Sequence, residues 1–502
     1  MNTAGGDAAT STEDRQSGPE YFRTTIGGSA APAALVTDLD GSLIATDTLW
    51  EGVVSIVRRA PARVGSLAGR LMTGRAAFKA EVAKYGAPDA AGLPYRADVL
   101  EYLRSERAKG RRIVLATAAH KTVADSVANH LGLFDEVFAS TDQVNLKGAQ
   151  KRDALVKRFG VKGFDYIGDS ISDKAVWQAC RVAHVVGSSA SAGAAGAETG
   201  KRFGGPAAGA RKFVRAIRMH QWVKNILVCV PTLLNHTVSW HILESLAIAF
   251  AGFSLVASGT YLFNDLLDLE ADRGHPLKRR RPLPSGEMSI AEGAGLGLLL
   301  ISSGLGLSLL AGLPLLVCLV AYLALTICYS TWIKSKPVLD VVALAVLYTL
   351  RVFAGGLVTG AYVSPWLFQF SIFLFLSLAF VKRYSELVGL RQYRRRPSER
   401  RSYTIRDMSI VGQAGLGSGL LACVVLALYV NGREVEKLYR HPEMLWSVCP
   451  LFAYWIIRVW LIAHRGNMRE DPVLYAFHDR VSYIVGTLIA AAVVLGLMPN
   501  AQ

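Results

Sequence analysis

The sequence predicts two domains of different class: an N-terminal α/β domain, three-layered and Rossmann-like with a small helical cap, and a C-terminal all-α integral membrane domain of nine transmembrane helices. Three observations carry this expectation. With 51% hydrophobic and 19% charged residues and a mean hydropathy of +0.30, the 502-residue chain is too apolar for an ordinary soluble enzyme. Its long apolar runs gather after residue 210, whereas residues 1–210 hold 26 Lys/Arg and 22 Asp/Glu in a globular pattern. Within that first part, three apolar runs end in carboxylates or a hydroxyl, as buried parallel strands do where ligands gather.

Residues 1–32 carry Asp7, Glu13, Asp14 and Glu20 without an apolar core, so they read as a disordered tail and not as a secretory signal. The α/β domain is therefore expected to stay in the cytoplasm. The six cysteines (Cys180, Cys229, Cys318, Cys328, Cys423 and Cys449) show no paired spacing and read as packing residues. The first strand, AALVTDLDGS, opens a domain over 33–186 and delivers Asp38 and Asp40 before turning at Gly41. Residues from about 48 to 110 are expected to form the cap. RIVLATAA then delivers Thr117, and FDYIGDSISD delivers Asp169 with Asp173 four further on. Such carboxylate-bearing strand ends would hold a Mg²⁺, a hard cation that keeps substrate phosphate in its shell. GSSASAGAAGAETGKRFGGPAAGA (187–210) has the composition of a flexible linker, and RKFVRAIRMHQWVKN after it reads as a basic helix lying in the bilayer interface.

The membrane domain, 211–502, holds nine apolar runs near 223–238, 243–263, 289–311, 313–332, 338–360, 365–381, 409–431, 444–463 and 481–498. Each approaches the length that a hydrocarbon core of about 30 Å demands, the first being short. Placing residue 211 inside puts Arg433, Lys437 and Arg440 outside, Arg351 and Arg458 within spans, and the other 24 of the 29 Lys/Arg on cytoplasmic segments. That bias predicts an inner-membrane protein with its N-terminus inside and its C-terminus outside. The excess of 29 Lys/Arg over 17 Asp/Glu in this half points to the lipid bilayer and to phosphate-bearing partners and away from nucleic acid.

Any one strand-end aspartate is as well explained by a turn or a helix cap. The set is more informative. DLDGS (38–42), Thr117 in LATAA, Lys147 in NLKG and GDSISD (168–173) resemble, in order and spacing, the haloacid dehalogenase superfamily over about residues 33–186, and more narrowly its phosphoserine-phosphatase-like members. The resemblance implies that Asp38 is the nucleophile that forms an aspartyl phosphate, and that Asp40 protonates the leaving alcohol and then activates water. It also implies that Thr117 and Lys147 bind the phosphoryl oxygens, and that Asp38 and Asp169, with Asp40 and Asp173 beside them, hold Mg²⁺. Lys151 lies one turn beyond Lys147 and competes for its role. Ser42 stands where the family often has threonine, which keeps the hydroxyl.

At the end of the second run, Asn264, Asp265, Asp268 and Asp272 recur at helical spacing, and carboxylates at a span end are costly enough to be functional candidates. Asp268 and Asp272, one turn apart, would with Asn264 hold one or two Mg²⁺ ions that neutralise a pyrophosphate. Lys278 and Arg281 would bond its oxygens directly. A solvated loop would account for the arginine run but not for the acids on one face. The segment resembles the first aspartate-rich motif of the intramembrane prenyltransferase superfamily typified by the 4-hydroxybenzoate polyprenyltransferases. Aromatic-prenylating members carry a second acidic motif after the sixth span. Here that loop reads VKRYSELVGLRQYRRRPSERRSYTIRD, with nine Lys/Arg and only Glu386, Glu399 and Asp407 as acids.

The closer resemblance is to decaprenyl-phosphate phosphoribosyltransferases of the same superfamily. It is carried by RMHQWVKN (218–225), NDLLDLEADRGHPLKRRRP (264–282), YSTWIKSKPVLDV (329–341), LRVFAGG (350–356), FVKRYSEL (380–387) and RGNMREDPVLYAFHDR (465–480). It implies phosphoribosyl pyrophosphate as donor and polyprenyl phosphate as acceptor. An anionic acceptor needs cations rather than a general base, and Lys224, Lys334, Arg351, Lys382 and Arg383 are the candidates. Arg351 stands out because a guanidinium inside a span calls for an anionic partner, whereas Lys334, Lys382 and Arg383 have snorkelling as an equal explanation. Tyr329, Asp340, Asp471 and Asp479 are candidates for ribose or metal contacts. No acidic loop followed by a TGG run is present, so donor specificity rests on the resemblance. Together the halves predict a bifunctional enzyme making polyprenyl-phosphoryl ribose for cell-envelope glycans. The alternatives are an aromatic prenyltransferase using an allylic diphosphate, and a soluble domain that regulates without turnover.

Overall fold

The structure, a computed structural model, describes residues 32–187, 196–204, 209–236, 238–392, 403–432, 435, 438–468 and 471–498. Residues 1–31 of the expected tail, residues 188–195 and 205–208 of the expected linker, the arginine-rich 393–402, Arg433, Lys437 and residues 469–470 lie outside the described residues.

The strand β1 (Ala34–Thr37) is buried along its whole length, as a central parallel strand must be. The elements that follow are α1 (Thr48–Arg59), α2 (Val64–Thr73), α3 (Arg75–Gly86), α4 (Ala97–Ala108), β2 (Ile113–His120), α5 (Lys121–Leu131), β3 (Glu136–Ser140), α6 (Ala149–Phe159), β4 (Phe164–Gly168), α7 (Lys174–Ala179), β5 (Val182–Val186) and β6 (Glu198–Phe203). All six strands pair in parallel in the order β3-β2-β1-β4-β5-β6. Leu35 feeds one core with Leu103, Ile113 and Leu115, and Val36 feeds another with Val114, Phe164 and Trp177, so alternate residues serve opposite faces. The register Thr37↔Ile167 sets Asp38 and Asp169 side by side past the strand ends.

Two sequence expectations are corrected here. The cap is smaller than 48–110: α1 to α3 share a separate core of Ile56, Leu67 and Val82, whereas α4 sends Val99 and Leu103 into the sheet's core. Gly52 of α1 and Gly86 of α3 meet so closely that a Cβ on Gly86 would lie 2.3 Å from the Gly52 carbonyl oxygen. The stretch 187–210 is also no free linker, since β6 lies within it and extends the sheet beyond β5 through Val185↔Arg202 and Val186↔Phe203. Ser/Gly/Ala composition masked ETGKRF, a strand with only Phe203 buried.

In the second half, α8 (Gly209–Ile217) leads into a 3₁₀ segment, Met219–Cys229, and a short helix α9 (Val230–Leu234). Then come α10 (Trp240–Leu267), α11 (Leu269–Arg273), α12 (Ile290–Ser308), α13 (Leu313–Thr331), α14 (Leu339–Thr359), α15 (Pro365–Gln392), α16 (Met408–Val430), α17 (Val448–His464), α18 (Pro472–Ala476) and α19 (Arg480–Leu497). Among the described residues eight helices are long and apolar enough to cross a membrane, not nine. The missing one is the first, near 223–238, where the chain forms the 3₁₀ segment and α9 in place of a long helix. Small residues bring α10 and α12 together: a Cβ on Gly259 would sit 2.7 Å from the Gly297 carbonyl oxygen, and one on Gly304 2.9 Å from that of Gly252.

The soluble domain is seated on the membrane domain. Arg58 and Arg59 of α1 reach Glu270 of α11 at 2.6 and 2.8 Å, and Glu51 of α1 pairs with Arg273, Oε2 to Nη1 at 3.1 Å.

Candidate functional site

The α/β domain gathers a cavity of about 530 Å³ at the carboxyl ends of its strands, lined by Asp38, Asp40, Lys79, His120, Lys147 and Asp169 among others. Gly41, at φ +75°, lets the turn after β1 pass Asp169, where any Cβ would fall 2.1 Å from the carboxylate. Ser42 donates to Asp169 Oδ1 at 3.2 Å. Asp40 Oδ1 accepts the backbone N–H of Thr48 at 2.8 Å, which ties it to the first turn of the cap.

Of the two competing lysines, Lys151 stands next to Asp38. Its ammonium is 3.0 Å from Asp38 Oδ1 and 3.3 Å from Asp173 Oδ1, and it donates to the Tyr166 hydroxyl at 2.9 Å. Tyr166 in turn donates to Asp173 at 2.8 Å. Lys147, favoured by sequence reasoning, lines the same cavity without reaching that group. Thr117 is fully buried, and its hydroxyl accepts the Ala119 N–H at 2.9 Å. Lys79, overlooked in the sequence because it sits on the cap helix α3, donates to the Ala118 carbonyl at 2.7 Å and to Asn145 at 2.8 Å.

Burial raises the carboxyls here: Asp38 to about 6 against the pull of Lys151, Asp40 to about 8 with Asp47 adding to it, and Asp169 to about 7 with Asp38 and Asp173 adding to it. One oxygen each from Asp38, Asp169 and Asp173 lie within 4.8 Å of one another. Asp38 Oδ1 is buried with no aligned hydrogen-bond donor, so crowded negative charge and hard oxygen donors fit a Mg²⁺.

The membrane end has a different design, in which acids and basic groups are already paired. The helix α10 ends at Asp268 (φ −99°, ψ 10°), but the Asp272 N–H still bonds the Asp268 carbonyl at 2.8 Å, so the two acids stay one turn apart while their carboxylates take different partners. Asp265 and Asp272 instead share Arg281, at 2.9 and 2.7 Å. Arg218 also pairs with Asp265, Lys278 with Asp272 at 3.3 Å, and Lys334 with Asp268 at 3.0 Å. No trio of His, Cys, Asp or Glu side chains at this end lies close enough for a metal ion among the described residues. In the expected Asn264, Asp268 and Asp272 set the two carboxylates are paired with cations, Asp268 with Lys334 and Asp272 with Lys278 and Arg281.

A second group lies around Asp471. Lys224 and Lys382 reach its Oδ2 at 2.9 and 3.3 Å, and the Tyr348 hydroxyl donates at 3.3 Å. Burial pushes this carboxyl up, yet the two ammonium groups outweigh it and hold it well below the usual range. Arg383 is fully buried between Asp340 and Glu386, with the Tyr329 hydroxyl at 2.6 Å, and Tyr403 donates to Asp340 at 2.8 Å. These residues form a knot between α14, α15 and the end of α13, so Arg383 is committed to protein carboxylates.

Arg351 corrects the expectation of an anionic partner. Its guanidinium donates to the Asn225 side-chain oxygen at 2.7 Å, to the Leu347 carbonyl at 2.5 Å and to the Tyr322 hydroxyl at 3.0 Å, all neutral acceptors. Asp479, expected near ribose or metal, caps α19 through the Ser482 N–H and pairs with Arg458 at 2.6 Å.

Residues 226–481 match the UbiA prenyltransferase family, and residues 35–177 match the haloacid dehalogenase-like hydrolases. The chain is 35% identical over 470 residues to uncharacterized protein y4nM of Sinorhizobium fredii, across 92% of this chain and 91% of that one. The chain belongs to the UbiA prenyltransferase family. This UbiA-family domain carries a haloacid dehalogenase-like domain fused in front of it. Nodulation protein NoeC of Azorhizobium caulinodans is 35% identical over 275 residues, 54% of this chain and 89% of its own. A decaprenyl-phosphate phosphoribosyltransferase of Mycolicibacterium smegmatis is 32% identical over 291 residues, 55% of this chain and 91% of its own. In the UbiA domain, Arg218, Tyr348 and Tyr403 were missed by sequence reasoning. Arg218 stood inside a quoted segment, whereas the two tyrosines carried no local signal.

Proposed function

We propose that this chain makes a polyprenyl-phosphoryl ribose in two steps on the cytoplasmic face of the inner membrane. In the first, a phosphate oxygen of polyprenyl phosphate bonds to the anomeric carbon of phosphoribosyl pyrophosphate as the bond to pyrophosphate breaks. The basic groups paired with the acids of α10 and α11, Arg218, Lys278, Arg281 and Lys334, exchange their carboxylates for the departing pyrophosphate. Lys224 and Lys382 exchange Asp471 for the acceptor phosphate. Positive charge developing at the anomeric carbon meets the released carboxylates.

In the second step Asp38 attacks the 5-phosphate, forming an aspartyl phosphate while Asp40 gives its proton to the leaving ribose hydroxyl. Asp40 then takes a proton from the water that frees inorganic phosphate. Lys151 offsets charge beside Asp38. A Mg²⁺ held by Asp38, Asp169 and Asp173 would neutralise the phosphoryl oxygens.

The observation that carries this reading is the seating of a complete Asp38–Asp40–Lys151–Asp169–Asp173 group directly on the acidic loop of the UbiA domain. Similarity to the phosphoribosyltransferases supports the choice of donor. The N-terminal sheet, with a core on each face, is read as three-layered. A ninth crossing is supplied by residues 219–234: eleven residues at the 3₁₀ rise and five at the α rise come to about 30 Å. Bonds from Trp222 to Ser258 (2.9 Å) and from Thr232 to Thr359 (3.2 Å) support a run from the acidic end of α10 to the far end of α14. Nine crossings put the C-terminus outside.

Purified protein given labelled phosphoribosyl pyrophosphate and polyprenyl phosphate should release pyrophosphate and inorganic phosphate and form lipid-linked ribose. Consumption of an allylic diphosphate, with phosphoribosyl pyrophosphate inert, would reject the reading.

A further inference from the structure

The phosphatase cavity is not closed by its own domain. Gly286, Glu287 and Ser289 from the loop between α11 and α12 of the UbiA domain, with Glu292 in the first turn of α12, stand in its wall beside Asp40 and Lys79. The fit is close. Gly286 has φ +77°, and a Cβ there would lie 2.3 Å from the carbonyl oxygen of Ala45, which belongs to the turn that follows Asp40. The basic helix α8 braces the wall, Lys212 bonding Glu292 at 2.8 Å and Arg215 bonding Glu287 at 2.6 Å. On the other side the cap is latched by Glu51–Arg273, whose side chains are 7% and 11% exposed, and by Arg58 and Arg59 on Glu270. Thr46 donates to Glu51 at 2.6 Å, so the latch is tied to the turn that shapes the cavity.

We infer that this loop is a selectivity wall, and that the latched cavity takes a phosphomonoester carried on a hydroxyl-rich group anchored in the membrane in preference to free cytoplasmic phosphates. The inference deepens the proposed second step and rests on it for the identity of the sugar. Two properties of the wall argue for it. Glu287 and Glu292 add to the lining carboxylate oxygens that accept hydrogen bonds from sugar hydroxyls, while their charge is met by Arg215 and Lys212. The wall and α8 also belong to the membrane domain, so a headgroup reaching the cavity along them stays tethered to lipid and arrives at high local concentration. A haloacid dehalogenase-like domain working alone would lack both.

The test uses the full-length protein in lipid nanodiscs and two substrates, synthetic lipid-linked ribose 5-phosphate and free ribose 5-phosphate. Wild type should favour the lipid-linked ester in kcat/KM. Arg58→Glu with Arg59→Glu repels Glu270 and breaks the latch outside the cavity. It should lower kcat/KM for the lipid-linked ester by about tenfold, chiefly through KM, while free ribose 5-phosphate is cleaved as before. Adding Glu270→Arg should restore the preference. Equal preference in wild type, an unchanged ratio in the latch variant, or an equal fall for both substrates would overturn the inference. A chain that cleaves the lipid-linked ester but cannot form it from phosphoribosyl pyrophosphate fails the proposed first step and leaves the wall intact.

Discussion

At the scale of single residues, the proposed second step rests on Asp38 and Lys151. An amide cannot form an aspartyl phosphate, so Asp38→Asn should abolish release of inorganic phosphate while pyrophosphate release continues, leaving lipid-linked ribose 5-phosphate to accumulate. Chromatography of the labelled lipids checks this, and identical lipid products from wild type and variant would sink it. Lys151→Met should cost about 10²-fold or more in phosphatase kcat, because it removes the buried positive charge beside the nucleophile. Lys147→Met should cost less, since that side chain lines the cavity without reaching Asp38. A different effect is built into His184 of β5. Burial lowers its pKa from 6.5 to about 4, and its Nδ1 accepts the Lys201 N–H at 2.8 Å. The unfolded chain therefore binds the proton more readily than the folded one. Stability from this residue is complete above pH 6.5 and is lost as pH falls through 4, a change on the order of 3 kcal/mol. His184→Asn keeps an acceptor for Lys201 and should flatten the loss of thermal stability over that window.

At the scale of elements, the basic groups brought to the end of α10 and to α11 decide which acids work together. Spacing along an unbroken helix made Asp268 and Asp272 a pair. In the structure Asp272 and Asp265 share Arg281, and Asp268 goes to Lys334. Asp272→Ala should abolish pyrophosphate release in folded protein, because Arg281 and Lys278 lose the carboxylate that positions them. Near-normal transferase rates in that variant would reject this assignment. The glycine contacts between α10 and α12 make a purely structural counterpart. Gly259→Leu has no room against Gly297 and should lower stability by about 1–3 kcal/mol, read as a lower melting temperature in detergent.

At the scale of the whole molecule, the two domains share more than a chain. The stretch from Asp265 to Glu292 supplies the acids and arginines of the proposed transferase site, the anchor points for the cap, and part of the wall of the cavity at Asp38 and Asp40. The sheet runs on to Phe203 and α8 starts at Gly209, which leaves only a short connection between the domains. A loose tether could bring the two sites near each other, but ion pairs at Glu270 and Arg273 give them a fixed relation. Chelating Mg²⁺ should stop inorganic phosphate release from lipid-linked ribose 5-phosphate, and adding Mg²⁺ back should restore it. Unchanged hydrolysis in chelator would remove the metal from the second step.

Local patterns in the sequence were enough for the two-domain division, the parallel strands ending in Asp38, Thr117 and Asp169, and the long spans, because burial on both faces and the length of a bilayer write themselves into runs of apolar residues. The candidate acids stood out for the same reason: a carboxylate directly after a buried strand, or at the end of a span, is costly unless it has work to do. Tertiary structure decided what depends on partners distant in sequence. Lys147 and Lys151 are indistinguishable by spacing, and only the placement of α6 against β1 and β4 put Lys151 beside Asp38 and Asp173. Arg351 looked as though it needed an anion until packing surrounded it with Asn225, Tyr322 and the Leu347 carbonyl. β6 was hidden because an edge strand with one buried residue has no hydrophobic alternation to show. The seating of the cap on Glu270 and Arg273 left no trace in composition, since a charge that pairs across domains reads, residue by residue, like any solvated surface charge.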